Sequence, residues 1–322
     1  MKGKYTGALL RGMISLVLIV FVLWRFQDKL VHVWRLLASA SLGWIVVGVA
    51  LFWMAMLINA YKWWVLLRAQ QVYVPFLSMA NFTFVGFFFN NILPANIGGD
   101  VMRGYGLAKY TDQHAGAAAS VVLDRLIGLS AYMSVAALSA LAVVFLTDRM
   151  DLWPLAAAAV LALLALVMLG AFLISRRISR LVSRLLHRGV LERVAVIWDS
   201  LAAAFKRYRF EYKSLALAFI IGLTGIGATS MVNYVLSLAL GGGIPLLYIF
   251  LFTPLIALVL IVPVSIGGVG LSQVAYPFFY GLVGVSDELA IALSLFVLGV
   301  QVFCSLPGGV LWLLWKRDVT MS

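Results

Sequence analysis

Apolar positions in this chain come in long blocks rather than in alternation. Runs near 6–26, 43–66, 118–146, 153–174, 214–240 and 289–315 are each long enough for a helix to cross a bilayer, which takes about 20 residues. Two further runs are interrupted. The run 76–93 continues into Asn90-Asn91-Ile92-Leu93-Pro94-Ala95-Asn96-Ile97-Gly98-Gly99-Asp100-Val101-Met102-Arg103, and the run 245–284 holds Ile261-Val262-Pro263-Val264-Ser265-Ile266-Gly267-Gly268-Val269-Gly270. In both, proline removes a backbone donor and a glycine pair loosens the chain, so neither run predicts a straight helix. Pro94 and Pro263 are read as structural breaks.

Loop charges orient the frame. The longest hydrophilic stretch, 176–213, carries ten Lys and Arg against Glu192, Asp199 and Glu211, and is expected on the cytoplasmic side. Lys2, Lys4 and Arg11 put the N-terminus inside, and Lys316-Arg317 the C-terminus. The short acidic turns at Asp148-Arg149-Asp151 and Asp287-Glu288 then face outside. An inside N-terminus and an outside Asp148 require an odd number of crossings from four apolar segments. One segment must therefore enter and return, and the broken motif is the natural candidate. The same reasoning makes 245–284 a second re-entrant hairpin. The expected fold is an all-α polytopic membrane protein of two inverted repeats, each of three spans plus a re-entrant helical hairpin. The first repeat covers 1–150, with its motif at 90–103. The second covers 151–322, with the basic amphipathic segment 176–213 and its motif at 261–273. One conflict stands: the loop 25–42 falls outside although Arg25, Lys29 and Arg35 outnumber Asp28.

Composition narrows the class. Of 322 residues 64% are hydrophobic and only 11% charged, where a soluble domain carries about 25% charged residues. The net charge of +12 is read as cytoplasmic loops facing anionic lipid, and no nucleic-acid partner is expected. The apolar run after Arg11 resembles a signal peptide. The basic residues Arg25, Lys29 and Arg35 separate it from Ala38-Ser39-Ala40, so a retained first span is expected. Cys304 is alone, and His32, His114 and His187 are scattered, so neither a disulfide framework nor a metal site is expected. No nucleotide-binding motif is visible, and no cofactor is expected.

The candidate binding residues cluster at the breaks. Irregular backbone at membrane depth survives only against protein or a wet cavity. Helix N-termini there present free N–H groups to an anion. Gly98, Gly99, Gly267 and Gly268 would let a phosphate approach the backbone, or would merely let the hairpins pack tightly. Asp100 and Arg103 share a helix face, and Asp124-Arg125 opens the next apolar run. Each charge at mid-bilayer costs about 2.5–3.5 kcal/mol on insertion scales, so pairing is expected. The pairs would be Asp100 with Arg125 and Asp124 with Arg103, or the reverse. They form either a structural network or the support for arginines that hold a phosphate. Lys62 is read foremost as a snorkelling residue, with Trp63 and Trp64 as interface-belt residues. Asn90, Asn91 and Asn96 would cap freed backbone or contact a headgroup. Where Asp100 and Arg103 stand, the second half offers Gly270 and Gln273, which leaves the site lopsided in charge. Gly222, Gly225 and Gly227 suggest close helix contact.

Taken together, Asn91-x-x-Pro94, Ile97-Gly98-Gly99-Asp100-x-x-Arg103, Asp124-Arg125-Leu126-x-Gly128 and Pro263-x-Ser265-x-Gly267-Gly268-x-Gly270 resemble the transmembrane region of lysylphosphatidylglycerol synthases and their stand-alone relatives, from roughly residue 10 to 315. The resemblance implies the translocase half of such a synthase, without the synthase domain that makes the lipid. A bacterial-type cytoplasmic membrane is expected, and, with no paired nucleophile and base and no metal set visible, no enzymatic step; the alternative is a membrane enzyme on a lipid-linked substrate that uses Asp100 as acid or base. Gln273 departs from the glutamate usual in that family, and Lys62 from a common arginine. The expected partners are membrane lipids: an anionic or aminoacylated phospholipid, or a polyprenyl phosphate. A homo-oligomer and a separate lipid-modifying enzyme are further partners the resemblance leaves open. The expected function is movement of a phosphate-bearing headgroup between leaflets through a midplane polar cavity. The alternatives are a lipid-linked carrier transporter and a non-catalytic accessory subunit of envelope synthesis.

Overall fold

Long apolar runs become long helices because only a helix satisfies every backbone group without water. The computed structural model describes residues 27–92, 98–147, 150, 153–174, 208, 211–261 and 267–320. The expected first span at 6–26, the residues Pro94, Asn96 and Pro263, the turn residues Asp148, Arg149 and Asp151, and most of the basic segment 176–213 lie outside them. Ten α-helices occur among the described residues: α1 (Leu30–Ala38), α2 (Leu42–Ala69), α3 (Phe76–Ile92), α4 (Gly98–Thr111), α5 (His114–Thr147), α6 (Trp153–Ile174), α7 (Tyr212–Ala239), α8 (Leu246–Ile261), α9 (Leu271–Gly281) and α10 (Asp287–Thr320). No strand occurs among these residues, and the chain is an all-α polytopic membrane protein.

Four helices are long and apolar enough to span: α2 and α7 over their full 28 residues, and α5 and α10 over most of their 34. At 1.5 Å per residue, 28 residues reach about 42 Å, more than the roughly 30 Å hydrocarbon core. Helices α3 and α8 are shorter, and each ends at a broken motif. Helix α6 packs on α5 and exposes Leu161, Leu164 and Met168. Such outward apolar side chains suit lipid rather than water.

The packing keeps nearly the same pattern when α2–α5 are exchanged for α7–α10. Helix α2 packs on α7; α3 packs on α10 as α5 packs on α8; and the hairpins α3–α4 and α8–α9 each pack within themselves. The two equivalent helices α2 and α7 run antiparallel. The Ser41 amide donates to the Ala239 carbonyl at 2.9 Å at one end, and a Cβ at Gly222 would lie 3.8 Å from Lys62 Cδ near the other.

Small residues set how closely these helices approach. A Cβ on Gly308 would fall 2.0 Å from the Phe84 carbonyl oxygen, so α10 and α3 touch backbone to backbone. A Cβ on Gly48 would fall 2.7 Å from the Leu236 side chain, between α2 and α7. Gly225 faces Ile58 at ordinary contact distance, whereas Gly227 has nothing within 4 Å and serves no helix contact, contrary to the expectation for it.

The conflict over loop 25–42 resolves in part. Lys29, in the turn before α1, pairs with Asp287 at 2.8 Å and Glu288 at 3.5 Å at the start of α10. The two segments therefore lie at the same face of the molecule. The hydrogen bond to Asp287 is the main reason the Lys29 ammonium sits above the ordinary lysine value.

Gly308→Ala forces α3 and α10 apart and is expected to destabilise the protein by about 1–3 kcal/mol, the usual range for overpacking. Gly227→Ala, in open space, should leave the melting temperature in detergent within a degree. Thermal unfolding followed by size-exclusion retention distinguishes the two.

Candidate functional site: a charged cavity at mid-length of the helices

The two broken motifs meet. A Cβ on Gly267 would lie 3.9 Å from the Asn91 carbonyl, so the turn after α8 abuts the end of α3. Beside this junction is a cavity of about 390 Å³. One wall is the α2 face Phe52, Met56, Asn59 and Lys62. Opposite stand Ile221, Gly222, Gly225 and Thr229 of α7. The ends of α3 and α8 supply Asn90 and Ile261, and α10 supplies Gln301. The charged floor is Asp100 and Arg103 of α4 with Asp124 and Arg125 of α5. The α7 positions bracket the midpoint of that helix, so the cavity lies at mid-length, where a spanning helix crosses the bilayer centre.

The charges form one alternating chain. Lys62 Nζ lies 3.2 Å from Asp124 Oδ1. Arg103 Nη1 donates to Asp124 Oδ2 at 2.8 Å, and Arg103 Nε and Nη2 reach Asp100 Oδ1 at 3.0 and 2.9 Å. Arg125 Nε donates to Asp100 Oδ2. Cation, anion, cation, anion, cation is the arrangement that gives both carboxylates a positive neighbour on each side. The guanidinium of Arg103 also stacks 4.8 Å from the Trp63 ring, and Trp63 Nε1 donates to Ser120 Oγ at 3.1 Å. Lys62 fits because its neighbours are small. A Cβ on Gly128 would stand 3.0 Å from its ammonium.

Of the two pairings left open, Asp100–Arg125 and Asp124–Arg103 are both present, and Arg103 also takes Asp100 from the reverse one. Two readings need correction. Lys62 is not a snorkelling residue: it is 6% exposed and points inward to Asp124. A buried carboxylate one helix away outcompetes the interface for its ammonium. Trp63 is not a belt residue either, being fully buried beneath Arg103, while Trp64 bonds the Val74 carbonyl. Nothing in a one-dimensional pattern puts Lys62 and Trp63 beside Asp124 and Arg103. The helix face Phe52, Asn59, Lys62, polar at one end of an apolar span, was the signal available.

The glycine pairs do separate jobs. A Cβ on Gly99 would fall 1.9 Å from the Gly86 carbonyl, so Gly99 closes the α3–α4 hairpin. Its amide is not open to an anion, because Asn90 Oδ1 accepts it at 2.9 Å. Gly98 begins the same helix and does not line the cavity. Gly267, Gly268 and Gly270 have φ of +59°, +78° and +83°, values that favour glycine. They shape the turn and lie outside the cavity lining, as does Gln273, which is buried with its Oε1 accepting the Gly270 amide at 2.7 Å. Asn91 Oδ1 accepts from Gln301 Nε2 at 2.9 Å and ties α3 to α10. No group of three or more His, Cys, Asp or Glu that could hold a metal occurs among the described residues.

Broken helices, a mid-length cavity and buried charges define a multi-pass helical membrane protein with a polar interior. The chain belongs to the family of the lysylphosphatidylglycerol synthase TM region, whose model matches residues 9–308. It is also similar to a UPF0104 membrane protein of Pyrococcus horikoshii, 22% identical over 304 residues that cover 88% of this chain and 89% of the relative. No solved structure matches. The family is one of membrane proteins linked to lipid handling.

Truncating one member of a buried ion pair strands its partner and costs about 3–5 kcal/mol. Asp124→Leu should therefore unfold at markedly lower temperature in detergent. Adding Lys62→Met should recover part of the loss, with a coupling of roughly 1–3 kcal/mol in the double-mutant cycle.

Proposed function

We propose that this protein is a lipid translocase, moving a phosphate-bearing lipid headgroup between leaflets while the acyl chains stay in the bilayer. The observation that carries this reading is the net charge of the cavity. Among the described lining residues Lys62, Arg103 and Arg125 outnumber Asp100 and Asp124 by one charge, at mid-length of spanning helices. A volume of about 390 Å³ is in the range of small-molecule sites and suits a headgroup rather than a whole lipid.

Arg125 is the contact residue. Its side chain is 42% exposed, against 7% for Arg103. Arg103 is a positioning residue, spanning both carboxylates and fixing α4 to α5. The two halves act as inverted repeats that rock about the α2–α7 contact and open the cavity to each leaflet in turn. The membrane is a bacterial-type cytoplasmic membrane with both termini inside. The protein supplies no covalent chemistry; any drive comes from an ion gradient or the membrane potential, or the protein equilibrates the leaflets without one.

Reconstitution into liposomes with fluorescent phospholipids tests this. Leaflet exchange should exceed that of empty liposomes. It should fall at least tenfold in Asp100→Asn and Arg103→Ala proteins that still elute as folded. Exchange equal to empty liposomes for anionic, zwitterionic, aminoacylated and polyprenyl-phosphate lipids would point instead to an accessory subunit. Recovery of a covalently altered lipid would point to an enzyme.

A further inference from the structure

We infer that the cavity selects headgroups that carry a phosphate and no ammonium group, such as a phosphatidylglycerol or a polyprenyl phosphate, and rejects aminoacylated and zwitterionic headgroups. This rests on the reading of the cavity as a headgroup site and narrows what that site takes.

A lipid ammonium buried in a cavity is best received by an ionised acceptor, because a desolvated cation without one is costly. Asp100 and Asp124 are the only carboxylates among the described lining residues, and all four of their oxygens lie within ion-pair distance of protein cations. Arg103 bonds Asp100 Oδ1 and Asp124 Oδ2 and Arg125 bonds Asp100 Oδ2, while Asp124 Oδ1, buried and accepting no hydrogen bond, lies 3.2 Å from the Lys62 ammonium. The carboxylates are also the recessed members of the chain. The Asp124 side chain is 3% exposed and that of Asp100 15%, against 42% for Arg125. What the cavity sees is therefore a guanidinium, backed by neutral amides of Asn59 and Gln301.

The described residues of the second half supply no carboxylate to the lining. Helix α9, which follows the second glycine pair, contributes no lining residue. Its polar group there is the amide of Gln273, turned onto the Gly270 backbone. Selection against an ammonium then operates by repulsion from the net positive floor, since protein cations already stand against both carboxylates.

Binding to the full chain in detergent, read by native mass spectrometry, tests the inference separately from transport. Phosphatidylglycerol should bind at least tenfold more tightly than phosphatidylethanolamine, phosphatidylcholine or lysyl-phosphatidylglycerol. Millimolar inorganic phosphate or glycerol 1-phosphate should not displace it. Arg125→Gln, which uncovers one oxygen of Asp100, should weaken phosphatidylglycerol binding tenfold and strengthen phosphatidylethanolamine binding. A structural role for Arg125 would weaken all lipids alike. Equal binding of the four lipids, preference for the aminoacylated one, or displacement by free phosphate would overturn the inference. Selective binding without leaflet exchange would remove the translocase reading and leave this one standing. Exchange of every lipid at one rate, with unselective binding, would do the reverse.

Discussion

A charge in hydrocarbon must find an opposite charge, and that requirement organises this molecule. Five ionised side chains from three helices condense into one alternating chain at mid-length of the bundle. The chain ties α2, α4 and α5 together where apolar packing between helices has little driving force, since lipid tails are as apolar as the side chains they would displace. Arg103 is its middle link, sharing hydrogen bonds with two carboxylates and resting on Trp63. Its planar fork suits this position better than the point charge of a lysine would.

The broken helices follow from the same constraint. A continuous α3–α4 helix would carry Asp100 and Arg103 onward in one direction, away from Asp124. By ending α3 at Ile92 and starting α4 at Gly98, the chain reverses and lays Gly99 against Gly86. That close contact puts Asp100 and Arg103 beside the α5 pair, and Asn90 satisfies the amide the break exposes. The geometry of the hairpin and the pairing of the charges are therefore one arrangement seen from two sides.

The two halves share a packing plan but not a chemistry. Where the first half holds ions, the second holds neutral groups: Tyr276 donates to Asn233 at 2.7 Å, and Gln273 caps its own helix. A neutral hydrogen-bonded layer stabilises α7 against α9 without placing further charge in the bilayer. The asymmetry leaves one half to carry the excess positive charge and the other to shape the wall around it.

The sequence by itself determined the all-helical membrane class, the positions of the long helices α2, α5, α7 and α10, and the ends of α3 and α8 at the two broken motifs. These depend on run length, hydropathy and backbone chemistry, all of which are local. It also made a network of Asp100, Arg103, Asp124 and Arg125 legible, because charges in apolar runs must pair, but left open which carboxylate takes which arginine; the fold gives Arg103 both. Only the tertiary structure decided that Lys62 and Trp63 turn inward, since that depends on which face of α2 meets α4 and α5. It alone separated the look-alike glycine pairs: Gly99 lets two backbones touch, while Gly267, Gly268 and Gly270 occupy the left-handed region of a turn. Identical letters in a motif specify freedom of the backbone, and the neighbours brought by folding specify what that freedom is used for.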